Sequence, residues 1–256
     1  MTTLKMASSS LFSRLEQFLA HCREGGFKHV LKILAYYGFA HGWALWLADI
    51  QILGLVDPAE TQTFQPLTGY SFEFATAMNL DAILACAPVV DRKHLGMLFR
   101  GFFRDGFRCA IVLNEERVVG YMWAFTDEYV VTLDDYRRRN LSVRLDSRSV
   151  FTGNAYVASP HRGRGLFQRL KLYLMQHYPP GTHFYTSISD LNAPSLAANR
   201  RLGFSKLATL RFIGVFSRTL LYVREKESRQ WRAFRTRWPN LKLDGIRLQT
   251  TSADSH

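Results

Sequence analysis

Apolar residues in the N-terminal part of the chain recur every three or four positions, which is the spacing of one face of an α-helix. This spacing predicts a helix that Ser10 caps and that Gly25 and Gly26 end, followed by a shorter helix up to Gly38. Such stripes usually pack on a domain. The alternative is a basic amphipathic anchor at a membrane surface. The apolar faces comprise Leu11, Phe12, Leu15, Phe18, Leu19, Cys22, Phe27, Val30, Leu31 and Leu34.

The most hydrophobic run of the chain covers residues 33–56. It contains His41, Asp49 and Gln51, and an ionised side chain within the hydrocarbon of a bilayer costs much free energy. We therefore expect this run to be a packed segment of the fold rather than a transmembrane helix.

An alternation of strand and helix patterns begins at Ser71 and predicts an α/β fold. A strand at 71–78 precedes two helical segments over 80–106 that Pro88 interrupts, and a hairpin follows at 108–126. The next stretch, 127–152, is basic and has no clear period. The remaining predicted elements are a strand at 154–158, a helix at 166–177, a strand at 183–189, a helix at 194–202 and strands at 206–216 and 219–224.

Charge and cysteine content narrow the class of protein. The 33 Lys and Arg residues against 21 Asp and Glu residues give a net charge of +12. A field of this sign attracts nucleic acid, an anionic membrane face or phosphorylated small molecules. The three cysteines are far apart and have no CxxC partner, so neither a disulfide framework nor a metal site is expected. The expected location is the reducing cytoplasm, with peripheral contact at the inner membrane face as an alternative.

The clearest chemical motif is the turn Arg162-Gly163-Arg164-Gly165, which lies between a predicted strand and a predicted helix. Glycines at such a junction let the backbone come close to a ligand, and the N–H groups at the helix start attract an anion. The turn is neither a GxxxxGK[ST] loop nor a GxGxxG fingerprint with its later acidic residue. It predicts a phosphate-binding site of another type.

With this turn and a second motif downstream, the chain resembles the GNAT superfamily of acetyl-CoA-dependent N-acetyltransferases. That family has a strand ending near a proline, then [RQ]-x-x-G-x-[GA] opening a helix, and later an Asn-led helix ending in Leu-Gly-Phe. Here residues 157–167 are VASPHRGRGLF, 192–195 are NAPS and 201–204 are RLGF. The resemblance covers about residues 72–224.

The resemblance implies a fold and a division of the chain. The expected fold is a mixed, mostly antiparallel central sheet flanked by helices. The expected units are an N-terminal helical extension over 1–65, an acyl-CoA-binding catalytic domain over 66–225 and a basic C-terminal tail over 226–256.

The resemblance also implies that acetyl-CoA is the co-substrate. Backbone N–H groups of 162–167 would hold its pyrophosphate, and strand residues 156–158 would pair with its pantetheine arm. Asn192 and Ser195 would contact the cofactor near its thioester or pantetheine end, although Asn192 is equally suited to cap the helix. The implied cofactor-binding residues are Tyr156, Val157, Ala158, Arg162, Gly163, Arg164, Gly165, Leu166, Phe167, Asn192 and Ser195.

Two positions depart from the family pattern. Phe167 stands where Gly or Ala is usual, and Asn199 stands where many members carry a tyrosine that protonates the leaving thiolate. Either solvent or another residue, such as Tyr156 or Tyr185, would then supply that proton.

Acetyl transfer also needs a base and a polarised carbonyl. By their positions near strand ends, Glu73, Asp190 and His183 are candidates for the base. A backbone N–H at a strand bulge near 157–158 would polarise the thioester carbonyl. We take Glu73, Tyr156 and Asp190 as the catalytic candidates.

The C-terminal tail combines aromatic and basic residues. Trp231, Phe234 and Trp238 have helical spacing and lie among arginines. This predicts a helix that packs on the sheet or lies at a membrane interface. Nucleic-acid binding is a third alternative without a recognised motif.

The resemblance therefore implies an N-acetyltransferase. Arginines within 137–148 would overhang the acceptor groove, which favours an anionic acceptor. The expected acceptor is an amine of a small molecule or of an envelope-glycan or lipid-linked precursor. The alternatives are a protein N-acetyltransferase and a non-catalytic module that binds CoA or a polyanion.

Overall fold

The structure is a computed structural model that describes residues 45–55, 63–87, 92–132, 140–215, 218–226, 228, 230–234, 240–244 and 247–251. The two helices predicted before residue 39, Pro88, Arg137 to Arg139 and Trp238 lie outside these residues. No helix in the described part of the chain is both long and apolar enough to span a membrane.

The described residues form thirteen strands and four α-helices. The helices are α1 (Leu80–Cys86), α2 (Arg92–Arg104), α3 (Leu166–Met175) and α4 (Ala193–Arg201). The strands are β1 (Leu45–Leu55), β2 (Ser71–Phe74), β3 (Arg108–Asn114), β4 (Arg117–Phe125), β5 (Glu128–Thr132), β6 (Asn140–Leu145), β7 (Ser149–Val157), β8 (His183–Ser189), β9 (Ser205–Val215), β10 (Arg218–Glu225), β11 (Arg232–Phe234), β12 (Asn240–Asp244) and β13 (Arg247–Thr251).

Nine of these strands form the central sheet, in the order β11-β10-β9-β1-β8-β7-β4-β3-β2. Each neighbouring pair is antiparallel except β7 and β8, which are parallel. A smaller sheet has the order β13-β12-β6-β5. The expectation of a mixed, mostly antiparallel sheet flanked by helices is confirmed.

Two apolar clusters lie on opposite faces of the central sheet. Along β3, Ile111 belongs to the cluster that includes residues of α1 and α2, and Val112 belongs to the cluster that includes residues of α3 and α4. Adjacent strand residues point to opposite faces, so this alternation separates the two layers. The helices α3 and α4 therefore cover one face together.

The strand β1 occupies the middle of the sheet, although residues 45–55 were assigned to a helical extension. Ile50 lies opposite Ser189 of β8 and opposite Leu210 of β9, and Ile52 is fully buried. Sequence analysis was right that the run is packed and wrong to set this part of it outside the sheet. Its neighbours along the sheet are more than a hundred residues away in sequence, so no local pattern indicates the pairing.

Sequence analysis predicted an irregular stretch over 127–152, but its described residues, 127–132 and 140–152, hold β5, β6 and the first part of β7. Tyr129 of β5 lies opposite Val143 of β6, and Leu141 and Val143 are fully buried. The alternation of apolar and polar residues over 141–145 is the strand period that the arginines nearby obscured.

The predicted helix of the C-terminal tail is also wrong. Phe234 lies on β11 and pairs with Leu221 of β10, and β12 runs parallel to β6. The Trp231 ring lies 4.7 Å from the guanidinium carbons of both Arg211 and Arg224, which gives it a place on the sheet. The spacing of three residues between Trp231 and Phe234 therefore did not distinguish a helix from a residue before a strand and a residue on it.

Other predicted elements are confirmed. The hairpin β3–β4, the strand β8 and the helix α4 lie within one or two residues of their predicted bounds. The helical region broken near residue 88 is α1 and α2, and the strand predicted from Ser71 ends at Phe74 rather than Met78.

Candidate functional site

The parallel strands β7 and β8 pair along only part of their length. Ser149 lies opposite His183, and the register continues to Thr152 opposite Thr186. Beyond this point a cavity of about 240 Å³ opens at the two strands. It is lined by Met122, Thr152, Gly153, Asn154, Ala155, Phe167, Lys171, Thr186, Ser187, Ile188, Ser189, Asn192 and Ser195.

A β-bulge in β7 lies at this opening. Trp123 of β4 faces Gly153 and Tyr121 faces Tyr156, so Asn154 and Ala155 together oppose a single residue. Asn154 has φ of +45°, in the left-handed region. A bulge bends its strand and interrupts the ladder. It places Asn154 and Ala155 at the cavity.

The bulge was predicted three residues further along, at 157–158, and this prediction is wrong. Val157 lies opposite Gly120 in the ladder, and the Ala158 N–H donates to the Val119 carbonyl at 2.8 Å. The Val157 carbonyl accepts a hydrogen bond from Arg162 Nε at 2.9 Å. These two residues therefore continue the β4–β7 pairing and lead the chain into the glycine turn.

The turn 162–165 has the backbone geometry that its glycines allow. Gly163 has φ of +77° and Gly165 has φ of +72°, and Gly165 is the N-cap of α3. Within the described residues, no backbone hydrogen bond engages the N–H groups from Gly163 to Leu166. The first N–H groups of a helix lack intrahelical partners and favour an anion. The turn therefore presents a row of free donors.

A tyrosine far away in sequence and an arginine in the first turns of α3 brace this turn. Arg164 donates from Nη1 to Tyr70 Oη at 3.1 Å, and Tyr70 Oη lies 3.0 Å from His161 Nδ1. Arg169 donates from Nη1 to the Arg164 carbonyl at 3.2 Å, while its Nε is buried without a hydrogen-bond partner in the described structure. Sequence analysis missed both: the proximity of Tyr70 to the turn comes from the fold, whereas Arg169 lies one helical turn after Gly165 and could have been found from its spacing.

A second cavity, of about 410 Å³, adjoins Arg169. Its other lining residues are Thr63, Gln65, Gln168 and Leu172. A buried guanidinium nitrogen without an acceptor favours an anionic group nearby. Together with the free N–H groups of the turn, it makes this end of α3 suitable for phosphates.

Asn192 and Ser195, predicted near the thioester or pantetheine end, line the first cavity together with Phe167, which was predicted in the phosphate cradle. Asn192 also caps α4, since its Oδ1 accepts from the Ser195 N–H at 3.1 Å. The aromatic ring at position 167, unusual for the resembled family, therefore forms part of the cavity wall.

A buried lysine that sequence analysis did not single out also lines this cavity. Lys171 is 1% exposed, and its Nζ donates to Asn199 Oδ1 at 2.5 Å. Asn199 is fully buried and donates from Nδ2 to the Ser195 carbonyl at 2.8 Å. Burial lowers the pKa of Lys171 to about 7, because desolvation penalises the ammonium form. Its sequence signal was its place between Phe167 and Leu174 on the apolar face of the helix.

The three catalytic candidates are not brought together. Glu73 is exposed on the edge strand β2, which β3 and β4 separate from β7. Tyr156 is half-buried on β7, with the Arg162 guanidinium carbon 5.3 Å from its ring centroid. Asp190 follows β8, next to the cavity residue Ser189, and its Oδ1 accepts from Gln51 Nε2 at 2.6 Å.

The two further residues considered from sequence lie away from the cavity lining. Tyr185 is fully buried in the cluster that contains α1 and α2 residues, on the face opposite α3. His183 begins β8, at the paired end of the parallel strands.

Comparisons with known proteins give structural likeness at low sequence identity. A GNAT-family acetyltransferase from Colwellia psychrerythraea matches 66% of this chain and 55% of its own, with 13% identity and a TM-score of 0.43. A tandem GNAT protein from the clavulanic acid biosynthesis pathway matches 81% of this chain and 72% of its own, with 15% identity and a TM-score of 0.48. A ribosomal-protein-alanine N-acetyltransferase from Brucella melitensis matches 53% of this chain and 84% of its own, with 24% identity and a TM-score of 0.37. This chain thus spans little more than half the length of the first of these proteins. No family model and no curated protein matches the chain.

Proposed function

We propose that this protein is a GNAT-type N-acyltransferase that transfers an acetyl group from acetyl-CoA to an amine. The observation that carries the proposal is that one helix, α3, contributes to both the glycine turn and the wall of the first cavity. The first turn of α3 follows the glycine turn with its free N–H groups, and the same helix places Phe167 and Lys171 in the wall of the cavity between β7 and β8. A ligand with phosphates at one end and a thioester at the other fits this arrangement.

The residues present are suited to the phosphates and the pantetheine arm of CoA. The N–H groups from Gly163 to Leu166, with Arg169 nearby, would hold the phosphates. The pairing of β7 with β8 ends at Thr152, so the β7 edge over 153–157 can pair with the amides of the pantetheine arm. When bound, acetyl-CoA supplies an acetyl group activated as a thioester.

In this reaction the protein's own residues would orient the amine and the thioester and would transfer protons. The bulge at Asn154 and Ala155 shapes the cavity in which an amine and a thioester would meet, and such orientation contributes much of the rate. Of the carboxylates considered, Asp190 lies next to a cavity residue and Glu73 does not, so we assign the base role to Asp190.

The acceptor is proposed from charge. The net charge of +12 favours an anionic amine, although Arg148 lies at the paired end of β7 and β8, away from the cavity, where its carbonyl accepts from the His183 N–H. A small molecule or an envelope-glycan or lipid-linked precursor fits this description. A protein amine and a module that binds CoA without catalysis are the alternatives.

A panel of amines tests the proposal. Purified protein is incubated with acetyl-CoA and each amine, and both free thiol and the mass of the acceptor are measured. Thiol release that depends on the amine, with a matching acetylated product, supports the enzyme. Saturable CoA binding without product from any amine supports the non-catalytic module instead.

A further inference from the structure

Lys171 is a charged group buried without a counter-charge. Its Nζ lies 4.1 Å from the ring centroid of Phe204 and 5.9 Å from that of Phe167, and it donates to the neutral amide of Asn199. No carboxylate in the described part of the chain forms an ion pair with it. Burying an unpaired ammonium opposes folding. A side chain kept there at such a cost needs an explanation other than stability.

The cavity at the β7–β8 opening gives that explanation. Of its described lining residues, Lys171 is the only one that carries an acid–base side chain, since the others are apolar, glycine, amide or hydroxyl residues. No Asp, Glu, His, Cys, Tyr or Arg from β4, β7, β8 or α4 lines it. Among the described lining residues, Lys171 is therefore the one suited to donate a proton to a ligand inside this cavity.

Asn199 holds the lysine in one orientation. Its Nδ2 donates to the Ser195 carbonyl, which directs its Oδ1 toward Lys171 Nζ. An ammonium has three donors, so two remain after this bond. Lys171 and Ser195 both line the cavity.

We propose that Lys171 is the catalytic acid that protonates the sulfur of CoA as the acetyl group leaves, and that Asn199 positions it. This inference rests on the proposed acetyl transfer. The acceptor nitrogen forms a bond to the thioester carbon, the carbon–sulfur bond breaks, and its electron pair goes to sulfur. One N–H proton of the Lys171 ammonium moves to that sulfur and gives the thiol. The acceptor nitrogen loses one proton to the base or to water, and solvent returns one proton to the neutral Lys171 amine.

The acidity of Lys171 suits this step. Its pKa of about 7 is below that of an ordinary thiol, about 8.5, so transfer from the ammonium to a thiolate runs downhill. A lysine in water would hold its proton more tightly than a thiol does. Burial therefore turns a poor acid into an adequate one near neutral pH.

The test compares wild type with Lys171→Met, which keeps the length and the burial but has no proton to give. Lys206→Met, at an exposed position on β9, is the matched control for loss of one positive charge. Circular dichroism establishes that all three proteins fold. With acetyl-CoA and a working amine, Lys171→Met should lower kcat by about 100-fold. The KM for acetyl-CoA should change little, and the decline of kcat above neutral pH should disappear. Lys206→Met should behave as wild type.

A second readout needs no turnover. The ultraviolet absorbance of the thiolate of bound CoA is titrated in wild type and in Lys171→Met, with desulfo-CoA as the blank. Lys171 and the thiol titrate as a coupled pair, and the state with an ammonium beside a thiolate exists only when Lys171 is present, so the thiolate absorbance should rise at lower pH in wild type than in Lys171→Met. Asn199→Leu, which removes the positioning bond, should show the rise at an intermediate pH.

The outcomes separate the two proposals. If wild type binds CoA and acetylates no amine, the proposed function is wrong. If wild type turns over and Lys171→Met matches it in kcat, pH profile and thiolate titration, only the role of Lys171 is overturned. Stable acetylation of Lys171 itself, found by peptide mass, would also overturn that role, since the lysine would then be a nucleophile.

Discussion

Lys171 Nζ and Asn199 Oδ1 are joined by a hydrogen bond of 2.5 Å that links α3 to α4 beside the opening between β7 and β8. The two residues are 28 apart in sequence and both are buried. A single polar pair thus connects the helix that begins at the glycine turn with the helix that Asn192 caps. This bond leads to predictions about the free energy of unfolding and its dependence on pH.

The first prediction concerns stability against pH. The pKa of Lys171 is lowered to about 7 in the folded protein, so between that pH and the ordinary lysine value the unfolded chain binds more protons. Stability therefore rises with pH across this window, by up to about 1.4 kcal/mol per pH unit, and this contribution is absent below it. Lys171→Met should lack the rise. Urea denaturation between about pH 7 and about pH 10 measures it, and parallel curves for the two proteins would contradict the lowered pKa.

The second prediction concerns the coupling of the pair. Asn199→Leu leaves the Lys171 ammonium without its acceptor and should lower the free energy of unfolding by about 1–3 kcal/mol. In the Lys171→Met background the same change should cost less, because no buried donor is then left unpaired. Denaturant unfolding of the four proteins in this double-mutant cycle provides the comparison. Strict additivity would show that the bond contributes nothing.

The third prediction uses two glycines with matched backbones. Gly163 has φ of +77° and Gly181 has φ of +78°, and a Cβ at either would meet no atom within 4 Å. Glutamate at each position should therefore cost a similar free energy of unfolding, about 1–2 kcal/mol. Gly163→Glu should also abolish the rise in Tm that CoA produces in wild type, since it places a negative charge at the N–H groups of the turn. Gly181→Glu should keep that rise, and equal loss in both variants would argue against a phosphate site at the turn.

The fourth prediction concerns the central place of β1. Ile52 is fully buried between the strands β8 and β9, so Ile52→Ala should lower the free energy of unfolding by about 2–5 kcal/mol. A detachable extension would instead leave the unfolding of the remaining domain unchanged. Chemical denaturation of the full chain, followed by tryptophan fluorescence, distinguishes the two results. A loss of less than about 0.5 kcal/mol in the free energy of unfolding would contradict the burial of β1 in the core.

Features that depend on neighbours in sequence were predictable from the chain alone. The glycine turn, the amphipathic helix after it, the strand β8 and the cap at Asn192 each involve residues within a few positions of one another. Their periods and turn residues reflect local backbone preferences and the burial of one face. The phosphate-binding character of the turn follows from the same local chemistry.

Pairings between distant segments required the tertiary structure. The strand β1 pairs with β8 and β9, and Tyr70 braces a turn more than ninety residues later, although no local pattern names these partners. The strand β6 was missed because Arg144 and the arginines nearby obscured a short alternation. Lys171 belongs to the same class of feature. A lysine on a helix ordinarily extends its charge into water, and only the packing of α4 and Phe204 against α3 closes that route and gives this one a different acidity.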